Sequence, residues 1–167
     1  MLTLAYGRFL AVSGSADDYL AYAERARTEA APAGDPSLDA LMLAIHSHAL
    51  VMAGFVDRGL AANGEALARV GDIGKREIQT LGYDVRHWLI ALRARLLLLA
   101  GRPAEAQSVL DSLLGDPSEN VDALHRTMAL AVAAELDALD RRADRGRACL
   151  VEMEANAGGQ PTPYLGV

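Results

Sequence analysis

The sequence predicts an all-α protein assembled from about four helix-turn-helix units that stack as antiparallel helix pairs. Three observations predict it. Thirty-two of the 167 residues are alanine, while Phe, Trp and Tyr together make up 5%, a balance that favours close-packed helices over sheets, which need β-branched and aromatic surfaces. Apolar residues recur at spacings of three and four, the period that gathers them on one helix face. Helix-stopping and helix-starting residues alternate along the chain at a period of about forty residues, the mark of a repeat array.

Each unit has an A helix, a turn of two or three residues and a B helix. The first unit spans residues 1–33: MLTLAYGRFLAVSG supplies a short A helix, Gly14 turns the chain, and the B helix opens on Asp17 and Asp18, whose charges complement the helix dipole. Gly34-Asp35-Pro36-Ser37 then separates two units. Glycine tolerates the left-handed conformation that ends a helix, aspartate accepts the free N–H groups of the next one, and proline at the first position lacks the N–H that would be orphaned anyway. The second unit spans 36–70, with its internal turn at Gly54 in VMAGFVDRGL. A longer connection, GDIGKREIQTLGYD, holds a weaker Gly71-Asp72 mark and a short helix near Lys75 to Leu81.

The third unit spans 84–114, where Leu89, Leu92, Leu96 and Leu99 share one face of the A helix and Gly101 with Pro103 turns into the B helix. Gly-Asp-Pro-Ser returns at Gly115 to Ser118, with Glu119 placed as in a capping box. The fourth unit spans 117–156, and in LDALDRRADRG the place of the turn glycine is taken by Asp140. The marks Gly14, Gly54, Gly101 and Asp140 are 40, 47 and 39 residues apart. Small residues in the B helices (Ala23 and Ala26, Ala62 and Ala66, Ala104 and Ala106) let neighbouring backbones approach. One unit alone cannot bury its apolar face, whereas stacked units can. The competing reading, an ordinary helical bundle, does not explain why two independent marks keep the same alternating order. In residues 157–167, Thr162 and Pro163 stand as the cap and first position of a further unit.

Composition excludes several function classes. A net charge of −6 with 16 cations, of which Lys75 is the only lysine, argues against a nucleic-acid binder, which needs clustered basic charge. Leu38 to Val56 contains His46 and His48, and Trp88 to Ala100 contains Arg93 and Arg95, so neither gives the roughly twenty uninterrupted apolar residues of a membrane span. The N-terminus lacks a signal peptide's basic region and cleavage site. The single cysteine, Cys149, reads as a small apolar helix residue in a reducing compartment. The expected location is the cytoplasm.

No catalytic constellation stands out, and neither cofactor nor metal is expected. GDIGKRE has two residues between its glycines and Arg76 after its lysine, whereas a phosphate-binding loop needs four residues and a Ser or Thr. His46 and His48 point about 200° apart on a helix and cannot easily share a metal; His125 has no partner near it in sequence. Glu135 and Asp137 read as solvated. The run RRADRGR from Arg141 is diluted by Asp140 and Asp144 and reads as a solvated face. The surface candidate is YDVRHWL, which gathers Tyr83, Arg86, His87 and the only tryptophan, Trp88. Aromatics and arginine of this kind anchor protein contacts; the alternative is packing, with Trp88 covering the joint between the second and third units.

The run from Leu96 to Ala106, an apolar stretch followed by Gly-Arg-Pro-Ala-Glu-Ala, resembles a tetratricopeptide-type repeat, although the 34-residue period and its Trp-Leu-Gly-Tyr positions are not met. The ordered set YGRFLAVSGSADDYLAYAERA, SHALVMAG and LGYDVRHWLIALRARLLLLAGRPAEA resembles the helical region of large bacterial signalling proteins. In these, a nucleotide cyclase or a LuxR-type DNA-binding output is joined to a STAND-type ATPase module and a tetratricopeptide-like superhelix. The resemblance implies a right-handed superhelix, or α-solenoid, and carries no catalytic residue onto this chain. The expectation is therefore a non-catalytic scaffold for protein or intramolecular domain contacts, cut from a larger protein or self-associating through open repeat ends. The alternative expectation is a sensor whose helical groove binds a small ligand.

Overall fold

The computed structural model describes residues 14–115 and 121–156, apart from the side chains of Arg76, Glu77 and Thr80. Among the described residues the elements are helical and no strand is present. They are α1 (Ala16–Ala30), α2 (Pro36–Met52), α3 (Val56–Ala68), α4 (Lys75–Leu81), α5 (Val85–Leu99), α6 (Pro103–Leu114), α7 (Ala123–Leu139) and α8 (Ala143–Asn156), with single 3-10 turns at Ala31–Ala33 and Val70–Asp72. The predicted first A helix, the Gly-Asp-Pro-Ser copy after Gly115 and the further unit after 157 lie wholly or largely outside the described residues. The chain divides into two compact units, residues 1–89 and 90–167.

In the first unit α2 packs against both α1 and α3. Ala40, Leu41, Met42, Leu43, Ala44, Ala49 and Leu50 are all buried, so α2 is apolar around most of its circumference, as a helix covered on two sides must be. It starts where the Asp35 carboxylate accepts from the Ser37 and Leu38 amides, after Gly34 has turned left-handed at φ 61°. Small residues set the approach of α2 to α3: buried Ser47 donates to the Gly59 carbonyl at 3.3 Å, and Ala62 and Ala66 are buried on the same helix as Gly59. Asn63, also of α3 and fully buried, donates through Nδ2 to the Leu89 carbonyl at 3.0 Å. The short helix α4 matches the range read from the sequence and ends at Gly82, φ 78°.

In the second unit α7 packs against α6 and α8. Its buried face, Ala129, Leu130, Val132 and Leu136, meets a core that includes Ala106, Leu110 and Leu113 of α6 and Met153 of α8. The described part of α7 begins at Ala123 with Asp122 as its cap, accepting from the Leu124 and His125 amides.

The three described A-to-B turns are closed by one device. The Gly54 amide donates to the Val51 carbonyl and the Phe55 amide to Leu50; Gly101 and Arg102 donate to Leu98 and Leu97; Arg141 and Arg142 donate to Ala138 and Asp137. This paired bonding is the Schellman arrangement, with a left-handed residue just past the helix end. The left-handed residues are Gly54 (φ 82°), Gly101 (φ 71°) and Arg141 (φ 57°). The last corrects the sequence reading, which put Asp140 in that role: Asp140 is the helical cap with φ −82°, and the turn falls one residue later, on an arginine that carries the steric cost a glycine avoids.

Two further expectations are corrected. Gly115 does not turn left-handed; its φ is −87°, and a Cβ there would stand 2.5 Å from the Asp111 carbonyl oxygen, so close approach to the preceding turn explains the glycine. Leu99 does not share the buried face of Leu89, Leu92 and Leu96, which are at most 3% exposed; it is 50% exposed.

Candidate functional site

The predicted cluster at the start of α5 is placed in the first unit. The Asp84 carboxylate accepts from the Arg86 amide at 2.8 Å, which starts the helix and sets the directions of the next side chains. Trp88 and His87 are buried, Tyr83 is half-buried and Arg86 is exposed. Trp88 meets Tyr83 edge-on at 5.9 Å between centroids and His48 of α2 at 5.5 Å, while His48 meets Tyr19 of α1 at 5.6 Å. The result is a chain of four rings, Tyr19, His48, Trp88 and Tyr83, in the edge-to-face geometry that aromatic quadrupoles prefer. Sequence reasoning grouped Tyr83 with Trp88 but missed Tyr19 and His48, which stand on two other helices.

The histidines of α2 face different surroundings, as their spacing requires. The Tyr19 hydroxyl and His48 Nδ1 are 3.1 Å apart, and burial pushes the His48 pKa down from 6.5 to about 4. Arg27 donates to His46 Nδ1 at 3.0 Å. An arginine only donates, so the ring proton lies on Nε2, which faces Glu24 at 3.9 Å. Burial first and Arg27 next lower the His46 pKa, with Glu24 opposing them. His125, read from the sequence as lacking a partner, has one three residues back: Asp122 Oδ2 lies 2.5 Å from its Nδ1, so one carboxylate caps α7 and orients the ring. The signal was the Asp-x-x-His spacing at a helix start. Among the described residues no group of His, Cys, Asp and Glu side chains is placed to hold a metal ion, and no helix is long and apolar enough to cross a membrane.

The second unit holds a groove that the sequence did not reveal. It encloses about 390 Å³ and runs between α6 and α8, with Ala133 and Asp137 of α7 contributing to its wall. Asp137 corrects the solvated reading: its side chain is 3% exposed, with Arg142 Nε at 3.0 Å and Arg145 Nε at 3.7 Å. Two arginines of the RRADRGR run are thereby drawn to one buried carboxylate. Glu135, which is exposed, pairs instead with Arg95 of α5. Cys149 lines the groove, and burial, followed by the charges of Asp137 and Glu152, raises its thiol pKa, which suppresses the reactive thiolate.

A third feature recurs with the turns. The last residue of each described A helix of a hairpin is large, apolar and exposed: Met52 at 48%, Leu99 at 50% and Leu139 at 69%. In the second unit Arg95 and Glu135 stand four residues before Leu99 and Leu139, and their ion pair brings equivalent positions of α5 and α7 side by side. Comparison with protein-family models, curated proteins and solved structures finds no match to this chain.

Proposed function

We propose that the protein is a non-catalytic helical-repeat scaffold of the tetratricopeptide-like kind, whose stacked hairpins form a right-handed superhelix and present a surface to a protein partner or to another domain of the same chain. The observation that carries the proposal is the repetition of one turn with one exposed apolar residue, Met52, Leu99 or Leu139, at the same register. Singly exposed apolar residues are ordinary on protein surfaces. Recurrence at one structural position, with two of the three brought together by an ion pair, is the pattern of an interaction edge. The setting that goes with the proposal is a bacterial signalling or transcription-regulating protein, in which the array restrains an ATPase or output module.

The test is co-purification of partners with the unaltered chain and with the Leu99→Ser, Leu139→Ser double variant, whose helical circular dichroism is expected to be unchanged. The variant should lose a partner that the unaltered chain retains. Equal retention by both, or substrate turnover by the isolated chain, sinks the proposal. A second reading, a sensor of small ligands, is favoured by the groove of the second unit.

A further inference from the structure

We propose that the exposed face of α8 pairs antiparallel with the same face of a second copy of this chain, about a twofold axis that passes between Leu150 and Val151. The proposal uses a different surface from the edge of Met52, Leu99 and Leu139 and does not depend on it. The left-handed residues Gly54, Gly101 and Arg141 put α3, α6 and α8 in a common register. Counting from them, the twelfth residues, Ala66, Leu113 and Met153, are all buried, so α8 is seated in its hairpin as the other two are. The ninth residues are Asn63, Leu110 and Leu150. Asn63 is fully buried and donates to the Leu89 carbonyl of the next A helix, α5. Leu110 is buried in the core that α6 shares with α7. Leu150 is 49% exposed. The position at which α3 and α6 receive a further helix is thus uncovered on α8 among the described residues.

The uncovered face is apolar at its centre and charged on both sides. Val151, next to Leu150, is 64% exposed, where the equivalent residues of α3 and α6 are Gly64 and Asp111. A β-branched residue on a solvent-facing helix surface loses rotamer freedom without gaining packing, and a contact there supplies the packing. Arg147 and Glu154 are exposed and stand three or four residues from both Leu150 and Val151, the spacing of helix-surface neighbours. The next charges along the helix, Arg145 and Glu152, turn to Asp137 and Arg126 on the buried side, whereas Arg147 and Glu154 enter no ion pair among the described residues. Their arrangement selects the occupant. Arg147 and Glu154 lie equally far on either side of the midpoint between Leu150 and Val151, so an antiparallel copy sets each Arg147 against Glu154 of the other chain and each Leu150 against Val151. Both charge contacts are then opposite in sign, the patch is complementary to itself, and the pairing closes at two chains. A parallel copy would oppose like charges at both places.

Sedimentation velocity of the full chain at low salt, from low micromolar to near-millimolar concentration, tests the proposal. Two short helices bury less than the roughly 1,200 Å² at which standard-size interfaces begin, so the expected species is a weak dimer whose share rises with concentration and which grows no further. Leu150→Asp should weaken it about a hundredfold. Arg147→Glu and Glu154→Arg each turn two attractions into two repulsions and should each weaken self-association about tenfold. An equimolar mixture of these two charge variants should recover it, because both contacts across the mixed pair again join opposite signs. Both substitutions lie at exposed positions, and unchanged helical circular dichroism checks that the variants fold. Four results overturn the proposal: a chain that stays monomeric throughout the series, a dimer indifferent to the three substitutions, as pairing through the Leu99 and Leu139 edge would give, a mixture no more associated than its components, or assemblies that grow beyond the dimer, as open ends stacking head to tail would form.

Discussion

His48 is half-buried between the rings of Tyr19 and Trp88, and charging it there should cost folding free energy. Its folded pKa is about 4 against an ordinary 6.5, lowered by burial. The folded state therefore holds fewer protons than the unfolded chain between those values, and stability falls as pH falls. Its contribution is fully present above about pH 6.5, is lost progressively on the way down, and levels off below about 4. At about 1.4 kcal/mol per pH unit, the whole drop costs at most roughly 3 kcal/mol. Replacing His48 by Phe keeps an aromatic ring in the cluster and loses the contact with the Tyr19 hydroxyl, about 1 kcal/mol. At neutral pH the variant should be less stable by that amount. Near pH 6 the two stability curves should cross, and near pH 4 the variant should be the more stable by about 2 kcal/mol. Urea unfolding at a series of pH values measures this, and the fluorescence of Trp88, the only tryptophan, reports from the same ring cluster. His46 titrates equally in both proteins and cancels in the difference. Parallel curves between pH 7 and 4 would refute the reasoning.

Three further outcomes follow from the turns and the buried polar contacts. Gly54→Ala and Gly101→Ala force a Cβ into left-handed backbone at φ 82° and 71° and should each cost about 1–2 kcal/mol in thermal unfolding, whereas Arg141→Gly should stabilise by up to about 1 kcal/mol; Gly71→Ala, which meets open space at ordinary φ, is the control, and an equal effect there would contradict the turn assignment. Asn63→Ala removes the donor to the buried Leu89 carbonyl and should cost about 1–3 kcal/mol in chemical denaturation; a neutral effect would mean that the carbonyl is satisfied without it. Asp122→Ala removes a cap that also orients His125 and should cost about 1–2 kcal/mol, more than Asp35→Ala, whose carboxylate serves the Ser37 and Leu38 amides; the reverse order, measured by the same unfolding assay, would remove His125 from the argument.

The helices and their ends were legible in the sequence because they depend on local chemistry. Asp35 with Pro36, and Pro103 after Gly101, act within one turn of the backbone, and the structure starts and stops helices at these marks. Where the turn residue is not a glycine the local signal weakens, and the left-handed position was misplaced by one residue, on Asp140 instead of Arg141. The faces of the helices were less legible. The three-and-four spacing that buries Leu89, Leu92 and Leu96 continues to Leu99, but the helix ends there and nothing covers its last residue, which is half exposed.

The sites depend on residues far apart in sequence, and only the tertiary structure could assemble them. Tyr83 and Trp88 were gathered from one helix start, yet the ring chain is completed by His48 and Tyr19, which packing of three helices brings within 6 Å between centroids. Asp137 offers the same lesson in charge. In the sequence it is an acid on a helix, and acids on helices are usually solvated; its burial arises because α8 packs over that face of α7 and carries Arg145 to it, with Arg142 reaching it from the turn before α8. Local free-energy preferences of a few residues thus set the helices and turns of this protein, while its ring cluster and the buried Asp137 ion pairs exist only because packing decides which faces meet.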